Sequence, residues 1–308
     1  MEIALQFVLL ALGFVMLGKG ADWFVEGAAG IAMRFGIPQL VIGLTIVAMG
    51  TSAPEAAVSI AAAVKGNADI TIGNIVGSNI LNILVILGLA ASIVPIAVAR
   101  STVRIEIPFM IGVTALLFYQ GRDGSISLAD GGVLMVAFAV YMMYLYTMAM
   151  KSNVDSDLEE PGLPLGRCLL GAVGGLALII AGSNVTVGAA TSIATYAGLS
   201  ERFIGLTIVA LGTSLPELFT SVAAARRGNA DIAIGNIVGS NIFNILFVVG
   251  LSSLIIDIPF ASAFNFDTYV ALGAAVLLWL CVLRTQRLQR WAGALMLVCY
   301  AAYLGHIL

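Results

Sequence analysis

The sequence predicts an all-α integral membrane protein with ten transmembrane helices, arranged as two inverted-topology repeats of five helices each. Three observations predict this fold: few charged residues, charge-free runs long enough to cross a bilayer, and an internal duplication. Of the 308 residues 60% are hydrophobic and 10% are charged, whereas a soluble domain carries about 25% charged residues. So few charges cannot cover a water-facing surface on a chain of this length, so lipid is predicted to be its main solvent.

Charge-free runs indicate which kind of membrane span the chain forms. Five such runs cover residues 35–54, 70–99, 131–150, 168–200 and 232–256. About 20 apolar residues cross a bilayer as a helix, and these runs are of that length or longer. Their apolar residues are continuous rather than alternating, so the runs predict transmembrane helices and not the strands of a β-barrel.

An internal duplication divides the chain into two halves. The segment VIGLTIVAMGTSAPE at 41–55 recurs as FIGLTIVALGTSLPE at 203–217, and GNADITIGNIVGSNI at 66–80 recurs as GNADIAIGNIVGSNI at 228–242. Both pairs are separated by the same offset of 162 residues. One unchanged offset across both pairs of segments is typical of a repeated structural unit rather than of chance similarity between apolar segments.

The apolar runs and the turns between them predict five helices in each half. The predicted helices cover residues 3–28, 38–64, 70–95, 104–120, 129–150, 166–192, 201–225, 232–255, 267–283 and 291–306. The first repeat is then 1–150, a linker follows at 151–165, and the second repeat is 166–308. Because five is an odd number, the two halves enter the membrane in opposite orientations, which is the inverted-repeat architecture of many secondary transporters.

The distribution of Lys and Arg predicts the orientation in the membrane. Ten of these residues fall in loops on one side: Arg34, Arg100, Arg104, Lys151, Arg167, Arg226, Arg227, Arg284, Arg287 and Arg290. Three fall in loops on the other side: Lys65, Arg122 and Arg202. Since cytoplasmic loops are the ones enriched in Lys and Arg, we expect a multi-pass cell-membrane protein with a cytoplasmic linker and both termini outside.

Two carboxylates lie where charge is costly. Glu55 is the only charged residue within 35–64, and Glu217 is the only one within 203–225. A charge near the bilayer centre costs at least about 2.5 to 3.5 kcal/mol. The structural alternative is a carboxylate that is protonated or paired with a basic residue, but the other predicted helices, apart from Lys19 on helix 1, carry no Lys or Arg at mid-depth. The pattern therefore favours a functional site that faces a cavity.

A proline precedes each of these carboxylates. Pro54 and Pro216 lie inside apolar helices, where proline removes one backbone hydrogen bond and frees a carbonyl about one turn earlier. The freed carbonyls are expected near Gly50 and Gly212, where the absence of a side chain permits close approach of an ion. A plain proline kink is the alternative, but interrupted helices at matching positions of two halves indicate an ion site.

A second polar group, on helix 1, is not duplicated. Lys19, Asp22 and Glu26 lie on one face of this helix, whereas the equivalent positions of the second half carry no charge. Because the group occurs once, we interpret it as an interfacial or ion-pair feature rather than as part of a duplicated site.

The polar residues around the two carboxylates all offer oxygen. Four pairs are spaced by four residues and so share a helix face: Thr51 with Glu55, Ser78 with Asn82, Thr213 with Glu217, and Ser240 with Asn244. Oxygen ligands without thiolate or imidazole suit hard cations, although hydrogen bonding between helices is an alternative for the Ser and Asn residues. Two carboxylates would neutralise one Ca²⁺ or two Na⁺, which predicts an exchanger.

The motifs GTSAPE…GSNILN and GTSLPE…GSNIFN resemble the paired α-repeats of the sodium/calcium exchanger family, in the compact prokaryotic form. This resemblance implies that the Glu of each repeat holds calcium, together with the neighbouring Thr and Ser and a backbone carbonyl one turn earlier. Carried over, the implied ligands are Glu55, Thr51, Ser52 and the Ala48 carbonyl; Glu217, Thr213, Ser214 and the Ala210 carbonyl; and Ser78, Asn82, Ser240 and Asn244.

The resemblance also implies the activity, a secondary active antiporter that exchanges sodium for calcium by alternating access. No enzyme activity, cofactor, nucleic acid or obligate protein partner is expected, only Ca²⁺, Na⁺ and the lipid bilayer. The potassium-dependent branch carries Asp where this chain has Asn244, so potassium co-transport is not expected. A proton/calcium antiporter, or one for another divalent cation, stays open as an alternative, as do an ion channel and an intramembrane enzyme.

Overall fold

The computed structural model describes residues 2–152, 163–198 and 210–307. Most of the predicted linker and the first part of the predicted seventh helix lie outside these ranges. The first half contains α1 (Glu2–Phe35), α2 (Gln39–Ile42, Gly43–Val47 and Ala48–Thr51), α3 (Ala53–Val64), α4 (Asp69–Leu81, Asn82–Leu87 and Gly88–Ile93), α5 (Thr102–Glu106 and Ile107–Gln120) and α6 (Leu128–Ser152). The second half contains α7 (Leu165–Tyr196), α8 (Ala210–Thr213), α9 (Leu215–Arg226), α10 (Ala230–Phe243, Asn244–Val249 and Gly250–Ile255), α11 (Phe264–Leu283) and α12 (Arg290–Ile307).

Most of these helices are long and apolar enough to cross a membrane. Seven of the described helices qualify, and the bent pair α2 and α3 makes an eighth span. Their outer surfaces are apolar: Val8, Val136 and Leu170 are among the large hydrophobic side chains that remain exposed. In water such surfaces would be unfavourable, whereas lipid solvates them. The prediction of an all-helical membrane protein is therefore confirmed.

The helices that carry the repeated motifs lie at the centre. Within an apolar stretch of 18 residues, 94% of the residues are buried in α10 and 78% in α4, against 17% in α1 and in α6. Helix α3 packs on α4, and α9 packs on α10 in the same way. Helices α4 and α10 are thus enclosed by the other helices, away from lipid.

A break separates α2 from α3 at Ser52, and the two helices are bent by 51°. Pro54 occupies the second position of α3 and Pro216 the same position of α9, where the missing N–H has no helical partner to lose. The predicted single helix at 38–64 is therefore interrupted beside the proline. The carbonyl of Gly50, which was expected to be free, accepts a backbone hydrogen bond where α2 ends. The predicted end of the first helix at residue 28 is wrong, because α1 continues to Phe35 and the chain turns at Gly36, with φ of 61°.

The longest helices, α1 with 34 residues and α7 with 32, pack chiefly on each other. Glycines recur every seven residues along the contacting face of α1, at Gly13, Gly20 and Gly27. A Cβ added at Gly20 would lie 2.9 Å from the backbone oxygen of Gly175. The two backbones therefore approach as closely as glycine permits, which is a common form of helix packing in membranes.

Four two-residue strands connect loops of the first half to loops of the second. Strand β1 (Ile96–Ala97) pairs antiparallel with β4 (Arg287–Leu288), and β2 (Ser125–Ile126) pairs antiparallel with β3 (Ile258–Pro259). The first pair lies before α5 and the second lies after it, so the pairs close opposite ends of the helical bundle.

We expect Gly20→Ala to destabilise the protein because its methyl group would collide with the α7 backbone, at a cost of about 1 to 3 kcal/mol. The matched control is Gly18→Ala on the same helix, where an added Cβ meets nothing within 4 Å. Thermal unfolding in detergent would measure both variants. Equal unfolding temperatures for the two would contradict the close contact between α1 and α7.

Candidate cation-binding site

The two helix breaks place both carboxylates in the first turn of a helix. Ser52 is the N-cap residue of α3, which carries Glu55, and Ser214 is the N-cap residue of α9, which carries Glu217. Neither serine side chain caps its own helix. Both hydroxyls are therefore available to other partners, and both carboxylates lie near the positive end of a helix dipole.

Each of these serines donates a hydrogen bond to the carboxylate of the other half. Ser52 Oγ donates to Glu217 Oε1 at 2.8 Å, and Ser214 Oγ donates to Glu55 Oε1 at 3.3 Å. Each carboxylate residue is only 1% exposed. Since the ion pairs in the described part of the chain involve neither Glu, the structural alternative of a buried Glu paired with Lys or Arg is not supported.

Four buried oxygens in the region of these serine–carboxylate contacts accept no hydrogen bond from any described residue. They are Oε2 of Glu55, Oε2 of Glu217, Oδ1 of Asn82 and Oδ1 of Asn244. The turns that begin at Asn82 pack against α9, and those that begin at Asn244 pack against α3, so each amide adjoins a helix that carries a carboxylate. A buried acceptor without a partner costs about 1 to 3 kcal/mol, and a bound cation would remove that cost for each oxygen that it contacts.

The carboxylates alone do not complete a metal site. Within the described ranges, no group of three or more His, Cys, Asp or Glu side chains could hold a metal ion. A cation at this position would therefore depend on neutral oxygens as well. This donor set, with two carboxylates and uncharged oxygen, matches the hard cations expected from the sequence.

Hydroxyl groups and a carbonyl of the predicted ligand set meet beside the carboxylates. Thr51 Oγ1 contacts the Ala48 carbonyl oxygen at 3.3 Å and donates to Asn236 Oδ1 at 2.9 Å. Ser240 Oγ donates to the same Ala48 carbonyl at 3.3 Å. Three predicted ligands, drawn from both halves, are therefore in contact.

The positions of the other predicted ligands follow from the helices that carry them. Ser78 is buried on α4, one turn before Asn82. Thr213 and the backbone of Ala210 lie in the four-residue helix α8, next to the break. The carbonyl of Gly212, expected to be freed by the proline, accepts a hydrogen bond from Ser183 of α7 at 2.7 Å. That carbonyl is therefore engaged with α7, which the sequence alone did not indicate.

Six polar residues in this region were not predicted. Asn236 Nδ2 donates to Ser221 Oγ at 2.9 Å and to the Glu217 carbonyl at 3.4 Å. In the first half, Asn74 Nδ2 donates to Ser59 Oγ at 2.9 Å and to the Glu55 carbonyl at 3.3 Å. The remaining two are Asn79 and Asn241. All six are polar residues shared by the two halves at the offset of 162, which is the signal that could have identified them.

Four asparagines, Asn79, Asn82, Asn241 and Asn244, form a network that we call the asparagine cluster. Asn79 Nδ2 donates to the Asn241 carbonyl and Asn241 Nδ2 donates to the Asn79 carbonyl, both at 3.2 Å. Asn82 Nδ2 donates to Asn241 Oδ1 at 2.9 Å, and Asn244 Nδ2 donates to Asn79 Oδ1 at 3.1 Å. The cluster joins α4 directly to α10.

The unduplicated charged group lies apart from this site. Arg227, which follows α9, contacts Asp22 and Glu26 of α1 at 3.2 Å each. A cavity of about 540 Å³ adjoins this ion pair, and Lys19 and Phe219 are among its lining residues. The interpretation of the group as an ion-pair feature is confirmed for Asp22 and Glu26.

Such a fold and site define a class: a multi-pass membrane protein with a buried, oxygen-lined candidate cation site between two related helix pairs. The chain matches the family described as sodium/calcium exchanger protein over residues 5–147 and 168–308. It belongs to the sodium/calcium exchanger family, and the resemblance seen in the sequence is confirmed.

Individual relatives match over nearly their full length. The putative antiporter CaxA of Alkalimonas amylolytica is 40% identical over 314 residues, covering 98% of each chain. The sodium/calcium exchanger MaX1 of Methanosarcina acetivorans is 33% identical, again over 98% of each. A structure of the sodium–calcium exchanger NCX_Mj soaked with 2.5 mM Na⁺ and 10 mM Sr²⁺ has a TM-score of 0.86 and 34% identity, covering 98% of this chain and 99% of that one.

We expect Glu55→Gln to raise the unfolding temperature in ion-free buffer by about 2 to 4 °C, because one of two adjacent buried carboxylates is removed. The same variant should lose the stabilisation that added Ca²⁺ gives by binding the folded state. Asp123→Asn is the matched control, since Asp123 is exposed and should change neither value. A Ca²⁺-dependent shift as large as in the unmodified protein would exclude Glu55 from the site.

Proposed function

We propose that the chain is a secondary active antiporter that exchanges Na⁺ for Ca²⁺ across the cell membrane by alternating access. The observation that carries this proposal is the set of four buried, unpartnered oxygens on Glu55, Glu217, Asn82 and Asn244. Two of the four belong to carboxylates, so the site has a formal charge of −2 when both are ionised. One Ca²⁺ or two Na⁺ would neutralise that charge.

The proposed ligands are those expected from the sequence. They are Glu55, Glu217, Thr51, Thr213, Ser52, Ser214, Ser78, Ser240, Asn82, Asn244 and the carbonyls of Ala48 and Ala210. The contacts of Ser52, Ser214, Thr51, Ser240 and Ala48 around the carboxylates support this set. Six to eight oxygens in a flexible shell is the coordination that Ca²⁺ prefers, and the set is large enough to supply it.

Exchange follows from the charge of the site. An empty site would expose two bare carboxylates to a low-dielectric core, where unpaired charge is strongly unfavourable. An occupied site is close to neutral and can pass from one side of the membrane to the other. Since Na⁺ and Ca²⁺ compete for the same carboxylates, each ion displaces the other, and the coupling is built into the donor set.

The finer fold belongs to the same proposal: ten helices, in a first repeat at 1–150 and a second at 166–308, joined by a cytoplasmic linker at 151–165. Reciprocal contacts support a two-fold relation, because Ser52 contacts Glu217 while its equivalent Ser214 contacts Glu55. With five helices in each half, such an axis lies in the membrane plane, as in other inverted-repeat transporters.

The proposed orientation puts both termini outside the cell. The pairing of β1 with β4 brings two arginine-bearing loops to the same end of the bundle, and Arg290 donates to the Ile93 carbonyl at 3.3 Å across it. Arg227 and Arg167 belong to the same side in this topology. A concentration of arginines at one end supports a cytoplasmic assignment for that end.

Movement is assigned to α1 and α7. Both pack chiefly on each other through glycine, whereas α4 and α10 are enclosed. We propose that α1 and α7 slide as a unit along the central helices and open the site to one side at a time. The cavity beside Arg227 reaches Phe219, two residues beyond Glu217, and would form part of the cytoplasmic access route.

Uptake of ⁴⁵Ca²⁺ into sodium-loaded proteoliposomes tests the activity. Dilution into sodium-free buffer should drive uptake, and dilution into buffer with the same Na⁺ concentration should abolish it. Glu55→Gln and Glu217→Gln should each reduce uptake at least a hundredfold, since either removes half of the site charge. Asp123→Asn provides the control and should transport normally.

A different driving ion would revise the proposal without changing the site. Uptake that ignores Na⁺ but follows an imposed pH gradient would indicate proton/calcium antiport. Uptake without a gradient of either Na⁺ or H⁺ would contradict antiport, because it would show that Ca²⁺ moves down its own gradient alone, as through a channel.

Cysteine labelling tests the orientation. In a background with Cys168, Cys281 and Cys299 replaced by Ala, a membrane-impermeant maleimide should label Asp123→Cys in right-side-out vesicles. Thr285→Cys should react only after permeabilisation, because the proposed topology places its loop inside. Both positions are exposed, so access to water is not limiting. The reverse pattern would invert the topology.

A further inference from the structure

We propose that Asn79 and Asn241 are positioning residues, which fix the amide orientation of Asn82 and Asn244 and so direct the Oδ1 atoms of both towards the transported cation. This inference rests on the proposed function and concerns how two of its ligands are aimed. The asparagine cluster carries it, because hydrogen-bond chemistry permits only one arrangement of these four amides.

A backbone carbonyl can only accept a hydrogen bond. The side chain of Asn241 contacts the carbonyl oxygen of Asn79 at 3.2 Å, so the atom that faces it must be the donor Nδ2. The Oδ1 atom of Asn241 must then point in the other direction. It lies 2.9 Å from the side chain of Asn82.

That contact decides the orientation of Asn82. Because Asn241 presents an acceptor, Asn82 must present its donor Nδ2, and its own Oδ1 must face away from Asn241. This Oδ1 is buried and receives no hydrogen bond from the described residues. Rotating the amide by 180° would place two oxygens 2.9 Å apart and would leave the Nδ2 group facing the cation site.

The second half of the cluster repeats the same sequence of constraints. The side chain of Asn79 contacts the carbonyl of Asn241 at 3.2 Å, which directs its Oδ1 to Asn244 Nδ2 at 3.1 Å. The Oδ1 atom of Asn244 is again buried and unpartnered among the described residues. Two backbone carbonyls, one on α4 and one on α10, therefore determine the direction of both ligand oxygens.

Local geometry places these amides at a widened part of each helix. The π-helical turns of α4 begin at Asn82, and those of α10 begin at Asn244. Such turns are frequent at functional sites. The orientation matters chemically because an amide attracts a cation through its oxygen and repels it through its NH₂ group.

Equilibrium binding of ⁴⁵Ca²⁺ to the detergent-solubilised full chain tests the inference. Asn241→Leu removes the Nδ2 group that bonds the Asn79 carbonyl and the Oδ1 atom that accepts from Asn82. The Asn82 amide is then free to rotate, and the Kd for Ca²⁺ should rise about tenfold. Asn79→Leu should give an equal loss through Asn244, and it serves as the second variant if Asn241→Leu does not fold. Ser252→Ala is the control, since this buried hydroxyl on α10 has no described partner and should leave the Kd unchanged.

A double variant separates aiming from general packing. The two oxygens of a carboxylate are equivalent, so Asn82→Asp needs no orientation by its neighbour. Adding Asn241→Leu to Asn82→Asp should therefore leave the Kd within about twofold of Asn82→Asp alone, or lower it. A purely structural role would instead carry the same tenfold loss into this background, since independent effects add, and that result would overturn the inference.

The remaining outcomes are also decisive. If the unmodified chain binds Ca²⁺ and Na⁺ displaces it, but Asn241→Leu and Asn79→Leu bind as tightly, the inference fails and the proposed function stands. If the unmodified chain does not bind Ca²⁺ at all, both fail together. A tenfold loss in each single variant that disappears beside Asn82→Asp supports the inference.

Discussion

The constraint on which the rest of the structure depends is the burial of two carboxylates side by side in the membrane core. Glu55 and Glu217 are each only 1% exposed, and no described basic side chain forms an ion pair with them. The helix breaks at Ser52 and Ser214 answer this constraint, because each provides a hydroxyl donor and a helix N-terminus close to a carboxylate. The enclosure of α4 and α10 then follows, since the uncharged oxygens that we propose as ligands must be held around the same point.

The structure combines a tightly connected centre with a loosely connected periphery. Side-chain hydrogen bonds between α4 and α10 are numerous and reciprocal, as the asparagine cluster shows. Helices α1 and α7 instead meet through glycine, and their links to the centre include Ser183 with Gly212 and the exposed contacts of Arg227. Exposed ion pairs are worth about 1 kcal/mol or less, so the contacts of Arg227 add little to the attachment of α1 to the centre.

Features that depend on residue spacing and on the cost of burying charge can be predicted from the sequence. Features that depend on the rotation of each helix about its axis cannot. The duplication, the buried carboxylates and the break at Pro54 follow from the chain alone, because an isolated charge and a proline within an apolar run have few explanations. The contacts of Asn79, Asn241 and Asn236 do not, because an amide in a membrane helix has the same appearance whether it faces a site or a neighbouring helix. The predicted end of the first helix at residue 28 is too early, since the helix continues to Phe35 and ends at Gly36, which has a positive φ.

The pairing of strands across the halves has a consequence for the way in which the chain is made. Strand β1 finds its partner in β4 and β2 finds its partner in β3, while α1 needs α7 and Glu55 needs the hydroxyl of Ser214. At about 5 to 20 residues per second, translation delivers the first half about 10 to 30 seconds before the second half is complete. Until then the edges of β1 and β2 are unpaired and Glu55 lacks the hydroxyl of Ser214. The first half alone therefore lacks contacts that its strands, α1 and Glu55 make in the folded protein, and these contacts form only once the second half has been made.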